Sequence, residues 1–399
     1  MENTAVVSLS LFLSLFPIFP ILQSVNDRML RADALLAPYA VTNGGGFGRA
    51  HKEPDDETRF PFQRDRDRVI HTQAFRRLKG KCQVFVTGQG DHYRTRITHT
   101  IEVAQISRDI ARTLSLNEDL AETIALAHDI GHTPFGHAGE EAMNDCLAPF
   151  GESFEHNEQS LRIVTLLESR TAHVLGLNLR QEVLEGMAKH RTGKGNGQVR
   201  HFPRSLSLEA QIVNLADEIA YVSHDIDDGL RAGLFRTADL VPLAIMQSVM
   251  PRVSREGKPV RSVLVHVLVS DLYSSVPQKL RGAGIETLAD VYASPLPVMV
   301  FSDAMRGMLD ELRSFLWDRF YSSKEVTSQA DAGREVLRTL FAAYLSHPPE
   351  KVRSLQKKTG SSLTQAVKDY IAGMTDAYAI EQAAAITRRP HERGSAEGR

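Results

Sequence analysis

The sequence predicts an all-α fold, on three observations. Apolar residues recur at three- and four-residue spacing, as in Ile101, Ala104, Ile106, Ile110 and Leu114. Short Gly, Pro and polar breakers separate such runs, and sustained apolar/polar alternation, the mark of a half-buried strand, is scarce. At 399 residues, 42% of them hydrophobic, the chain is long enough to bury a large core. Its formal net charge of −2, from 47 basic and 49 acidic side chains, gives no global case for nucleic-acid binding. Cys82 and Cys146 are too few for a disulfide framework or a cysteine-rich zinc site, and both read as reduced.

Along the chain, Val6 to Val25 carries an apolar run that could pass for a signal-peptide core or a short membrane span. Against that, Glu2 and no basic residue precede it, Pro17 and Pro20 interrupt it, and no small-residue cleavage site follows. The expectation is that translation starts at Met29 and that residues 1–28 are an artefact or a disordered apolar segment. A helix opens near Arg96 and carries the Ile101 to Leu114 pattern. The apolar run Leu120 to Ala127 forms the next helix, and Gly131, Pro134 and Gly136 then break the chain into a tight loop. A polar entry, Glu152 to Ser160, leads into a helix ending near Leu167, and another spans Leu179 to His190. The Gly-rich basic segment Arg191 to Arg204 lacks phosphate-loop order and does not follow a strand, so it reads as a surface loop. Asn214 to Asp228 is helical, Val263 to Ser270 is read as helix despite its β-branched content, and Met299–Phe320 and Arg334–Leu345 complete the pattern. Arg388 to Arg399 is polar and uncapped, hence expected to be disordered.

Chemistry concentrates at His128-Asp-Ile-Gly-His-Thr-Pro-Phe-Gly-His137. An imidazole and a carboxylate projecting together from a helix end suit a divalent metal of intermediate softness. An isolated His-Asp pair is common, so the rest of a shell must exist elsewhere. His99 opens the upstream helix, and Asp217, Tyr221 and Asp225 fall at i, i+4 and i+8 on one face of the downstream helix. His99, His128, Asp129 and Asp217 thus offer two imidazoles and two carboxylates, leaving open positions on a six-coordinate ion. His132 and His137 become candidate phosphate contacts or proton donors. Glu140, three residues after His137 on a helix, is placed to orient its ring.

The order His, His-Asp, Asp resembles the HD-domain phosphohydrolases. Phe62–Arg68, Ala74–Leu78, Gln83–Phe85, Gly90–Arg96 and Ala127–Glu140 resemble more closely the shorter bacterial branch of the deoxyguanosine triphosphate triphosphohydrolase family, over roughly residues 35–390. The resemblance implies an HD-domain helical core with additional C-terminal helices, over residues 29–387. It also implies hydrolysis of a deoxynucleoside triphosphate to deoxynucleoside and inorganic triphosphate, with a divalent metal (Mn, Mg, Fe, Zn or Co) on His99, His128, Asp129 and Asp217. By the same resemblance His137 with Glu140, or His156, handles the proton, and Arg96 and His132 meet the phosphates. Tyr221, Asp225, Gln83 and Val84 meet the sugar, where a tyrosine ring would crowd a 2′-hydroxyl. The cations nearby, Arg76, Arg77, Lys79, Lys81 and Arg94, are weaker candidates for the phosphates, and most of them read as solvated or in structural ion pairs. A cytoplasmic homo-oligomer with no membrane partner is expected. The alternatives are another HD-domain nucleotide phosphohydrolase, a nucleotide-binding regulatory oligomer, and a single-stranded nucleic-acid binder using Arg59 to Arg96.

Overall fold

Residues 24–84, 94–171, 174–188 and 205–388 are described by the computed structural model. Among them the fold is helical apart from one antiparallel hairpin, β1 (Ser169–Thr171) with β2 (Val174–Leu175), which periodicity did not announce. The apolar run before Ser24, Phe85 and Gly90–Tyr93 of the basic motifs, the Gly-rich loop and the tail beyond Arg388 lie outside the described residues.

The N-terminal part holds α1 (Val25–Asp33), α2 (Pro61–Ile70), α3 (Gln73–Arg77), α4 (Arg96–Thr113), α5 (Glu118–Ala127), α6 (Gly136–Leu147), α7 (His156–Arg162) and α8 (Gln181–Met187). The long α9 (Leu208–Arg231) follows, then α10 (Thr237–Leu240), α11 (Met246–Glu256), α12 (Val260–Gly282) and α13 (Leu288–Ala293). The remainder is α14 (Asp303–Leu316), α15 (Lys324–Ser346), α16 (Glu350–Thr359), α17 (Leu363–Ala372) and α18 (Asp376–Arg388). The ambiguous run from Val263 therefore lies inside α12. The segment expected to run as one helix to Phe320 ends at Leu316 and continues as a wider π turn, Trp317–Tyr321. Helix α1 begins ahead of Met29, and Arg28 donates to the Thr58 carbonyl at 3.2 Å.

Local signals explain where the site helices start. Asn117 accepts from the Leu120 amide to cap α5, and Ser207 accepts from the Ala210 amide to cap α9, each satisfying an otherwise orphaned donor for about 1 kcal/mol. Leu208, Ile212, Leu215, Ile219, Val222 and Ile226 step along α9 at helical spacing and are all buried, so α9 is the axis on which α4, α5 and α12 pack. On the opposite face Asp217 and Tyr221 stay partly exposed. In α4 the buried stripe is Val103, Ile106 and Ile110, whereas Ile101 is 53% exposed. That corrects the expected apolar face: Ile101 is two residues from both His99 and Val103, about 200° round the helix from either.

A second apolar cluster joins α6 to the C-terminal helices through Phe135, Met143, Leu147, Leu337, Leu340 and Phe341. It presses α15 and α18 against the loop that precedes α6. No helix among the described residues is long and apolar enough to cross a membrane.

Candidate active site

The His-Asp pair terminates α5 because the chain must turn at once beneath α7. A Cβ on Gly131 would lie 2.3 Å from both the His156 carbonyl and the Ser160 amide, so only glycine permits this approach. Ser160 Oγ then accepts from the Gly131 amide and donates to the His128 carbonyl, both at 2.9 Å. Further on, Phe135 (φ 62°) and Gly136 (φ 58°) are consecutive left-handed residues that reverse the loop into α6. Asp376, at the start of α18, holds this turn from across the molecule: it accepts from the Phe135 amide at 3.1 Å and from the Cys82 amide at 2.8 Å.

Four of the expected residues meet here. His99 Nε2 lies 3.1 Å from Asp217 Oδ1, and His128 Nε2 lies 3.7 Å from the same oxygen and 3.2 Å from Asp129 Oδ1. Donors sharing one ion at roughly 2.1 Å are spaced by about 3–4 Å, so the His99, His128 and Asp217 separations suit a common ion, with Asp129 adjoining through His128. The tautomers agree. His128 Nδ1 donates to the Ala125 carbonyl at 2.6 Å, so the neutral ring turns its Nε2 lone pair toward two carboxylates, an arrangement that a cation relieves. His99 Nδ1 meets His224 Nδ1 at 3.4 Å, and His224 Nε2 pairs with Glu102, itself 2.9 Å from Arg261. Burial lowers His224 to about 4. Burial would raise Glu102, but the His224 hydrogen bond together with the charges of His224, Arg261 and Arg94 outweighs it and lowers the carboxyl to about 2. A charged Glu102 makes His224 Nε2 the donor and His224 Nδ1 the acceptor, which leaves His99 to donate from Nδ1 and present Nε2 to the ion. Nothing local in the sequence marks the Glu102 and His224 pairing, since the two are 122 residues apart.

A second group adjoins the first. Asp129, His132 and His156 place donor atoms within 4.8 Å of one another. His132 is buried, lies 3.3 Å from Asp129, and stacks on His156 with ring centres 4.0 Å apart and 14° between planes. Burial, then the Arg96 charge, drives His132 well below the ordinary imidazole range. Burial would raise Asp129, but His128, His132 and Arg96 hold it well below the carboxylate range. Arg96 is itself buried, 2.7 Å from Asp129, so the arginine expected on the phosphates also neutralises a proposed ligand.

Glu140 departs from its expected partner. His137 is 77% exposed and 3.7 Å away, whereas His156 offers both its amide (2.9 Å) and its ring Nδ1 (3.1 Å) to the Glu140 carboxylate. The reason is that α7 starts directly over the first turn of α6, a contact between elements that residue spacing within α6 does not reveal. Burial favours the protonated Glu140 acid, but the nearby His137, the His156 hydrogen bonds and the His132 charge together outweigh it and keep the carboxyl well below its usual range.

These groups line one cavity of about 960 Å³, which Gln83, Val84, Tyr221 and Asp225 also border. The Gln83 Oε1 is buried without a hydrogen-bond partner among the described residues. Tyr221 accepts from Arg313 Nε at 2.7 Å, and Arg313 is anchored on Glu218. Asp225 differs from a free sugar contact: it is buried, raised to about 7 by burial, and bonded to the Tyr321 hydroxyl. Arg313 and Tyr321 come from α14 and the π turn after it, roughly a hundred residues beyond α9's face, and no motif signalled them. Trp317, 66% exposed, stands at the cavity rim. Of the weaker cations, Arg94 pairs with Asp227 and Asp228 as expected of an ion pair. Lys81 does not follow that pattern; it is buried and donates to the His132 and Ala372 carbonyls.

Comparison with known proteins gives two family models, the HD domain over residues 96–222 and the phosphohydrolase-associated domain over residues 299–385. Three relatives are named deoxyguanosinetriphosphate triphosphohydrolase-like protein. That of Ralstonia nicotianae is 44% identical over 90% of this chain and 97% of its own length. The Brucella ovis relative is 44% identical over 87% and 94%, and the Thiobacillus denitrificans relative 45% over 87% and 96%.

Proposed function

From the premise that the chain belongs to the deoxyguanosinetriphosphate triphosphohydrolase-like family, we propose that it is a metal-dependent nucleotide triphosphohydrolase releasing inorganic triphosphate from deoxynucleoside triphosphates. One observation carries the reading: His99, His128 and Asp217 form one three-donor group, Asp129 adjoins it 3.2 Å from His128, and the cavity beside them is also lined by His132, His156 and Glu140. A divalent ion on the first four of these side chains supplies Lewis acidity toward the α-phosphoryl group.

The chain's own groups do the rest. Glu140 accepts from His156 Nδ1–H, which orients the ring and leaves Nε2 to take or give a proton at the reacting oxygen. His137, exposed and more distant, is a secondary partner of that carboxylate. Arg96 and His132 line the path of the phosphates and share Asp129, so phosphate charge competes there with the ligand for the guanidinium. Tyr221, one turn beyond Asp217, is held by Arg313 where a ring would crowd a ribose 2′-hydroxyl. Gln83 offers its unsatisfied carbonyl oxygen to a hydroxyl on the sugar's other face.

Incubation with each deoxynucleoside triphosphate and manganese or magnesium, with chromatography of the products, tests the reading. Inorganic triphosphate with free deoxynucleoside supports it. Release of orthophosphate or pyrophosphate instead would place the chain with other nucleotide phosphohydrolases. Tyr221→Ala should narrow the preference for deoxy over ribo substrates by about tenfold; an equal loss on both makes Tyr221 purely structural.

A further inference from the structure

Behind the motif loop lies a second cavity, of about 860 Å³, separate from the one described. Ile130, between the two halves of the motif, forms part of its wall, together with residues of α3, α16, α17 and α18. Its charge is unbalanced. Arg77, Lys81, Lys351 and Lys358 line it, against the acids Glu168 and Asp369. Asp369 is already saturated by the Arg162 fork and by Gln159 and Gln365, and Glu168 accepts from the Ala74 amide.

The cations lack such partners. Arg77 donates to the Gly373 carbonyl and Gln73, Lys358 to the Leu167 carbonyl, and Lys351 lies 5.8 Å from the centre of the Tyr378 ring. None of the three has a carboxylate within 4 Å among the described residues. Exposed arginines elsewhere on α15 behave otherwise: Arg334 and Arg338 reach Glu141 and Asp145 at 2.7 and 2.9 Å. Lys81, buried at the inner wall, donates to two backbone carbonyls, and burial lowers it to about 7 despite the Asp376 charge, so an added anion would favour its protonated form. Cations gathered round a concave surface without counter-charges repel one another, and a polyvalent anion relieves that repulsion through charge-assisted hydrogen bonds.

We propose that this cavity binds an anion of the phosphate class carrying two or more charges, held by Arg77, Lys351 and Lys358 with Lys81 at its inner wall. The site stands apart from the proposed catalytic cavity and does not depend on how that cavity acts. Two sources share the chemistry, a free polyphosphate and the phosphates of a nucleotide, and the tyrosines Tyr370 and Tyr378 offer ring surface to the second.

Calorimetric titration of the full chain with inorganic pyrophosphate, without added metal, tests it. Binding at the catalytic cavity is common to all proteins compared, so the difference between them isolates the new site. Lys351→Ala/Lys358→Ala should weaken one pyrophosphate site per chain by about tenfold or more, the worth of losing charge-assisted contacts. Lys351→Arg/Lys358→Arg should retain it. Both replacements are at exposed positions and spare the buried Val352 between them. Repetition with a ribonucleoside diphosphate separates the sources: tighter binding than pyrophosphate identifies a nucleotide, and equal binding identifies the free anion. Identical titrations for wild type and the alanine pair overturn the proposal, as does loss of the site in the arginine pair, since charge would then not be what binds.

Discussion

His99, His128 and Asp217 form one three-donor group and Asp129, His132 and His156 another, with nearly the same composition and the same tight spacing. What stands behind each group differs. In the first, each imidazole has one nitrogen tied to an acceptor, the Ala125 carbonyl for His128 and the His224–Glu102 chain for His99, so the other nitrogen presents a lone pair. In the second, the Arg96 guanidinium already occupies Asp129, and the two rings lie face to face with His156 anchored on Glu140. The first suits a cation and the second suits phosphates and proton transfer. Residue type alone does not distinguish a metal site; the hydrogen bonds behind the donors do.

Asp129, a member of the second group, also lies 3.2 Å from His128 of the first, so Asp129→Ala should have the largest effect. Bound metal and triphosphate release should both fall below detection, while the helical circular dichroism spectrum is unchanged. Near-normal turnover would break the distinction outright. Next come Glu140→Gln and His156→Ala, each expected to lower kcat by about a hundredfold or more with metal content intact. Metal analysis is the discriminating measurement here, because loss of the ion from either variant would make the second group a metal site after all.

His224→Gln acts on the first group from behind. Metal affinity should weaken about 10- to 100-fold, with kcat largely recovered at saturating metal; a kcat loss that metal does not restore assigns His224 a different role. The smallest expected effect lies behind the same helix face. Burial lifts the folded-state pKa of Asp225 to about 7 from its ordinary 3.8. The stability it contributes is therefore full below about pH 4 and lost as pH rises toward 7. Asp225→Asn removes that titration, so the melting temperature should fall less between pH 4 and 7 than in wild type. Equal slopes would mean that Asp225 ionises in the folded state much as it does in the unfolded chain.

The helices were legible because their signals are local: the Asn214 to Asp228 and Leu120 to Ala127 periodicity, and the glycines and proline that break the chain after α5. The candidate donors were legible because the His-Asp pair restricts where companions can lie, and helical periodicity put Asp217 and Tyr221 on one face. Four things were not. Ile101 looked like core because an apolar side chain two residues off the stripe still fits a loose helical pattern. The preference of Glu140 for His156 over His137 depends on the first residue of α7 lying against α6, a tertiary fact. The roles of His224, Arg313 and Tyr321 come from pairings across roughly a hundred residues, which no spacing rule encodes. Lys81 was misread for a related reason, since a lysine among basic neighbours gives no hint that folding will bury it.

The Asp376 clamp bears on when the molecule becomes competent during its own synthesis. A growing polypeptide leaves the ribosome N-terminus first. Every proposed donor, ending with Asp217, is therefore out and able to fold while α18 is still untranslated. Until Asp376 arrives to receive the Phe135 and Cys82 amides, the turn after the motif and the wall beside Gln83 lack their anchor. A prematurely terminated product would carry the candidate donors without the Asp376 anchor that holds the turn beside them.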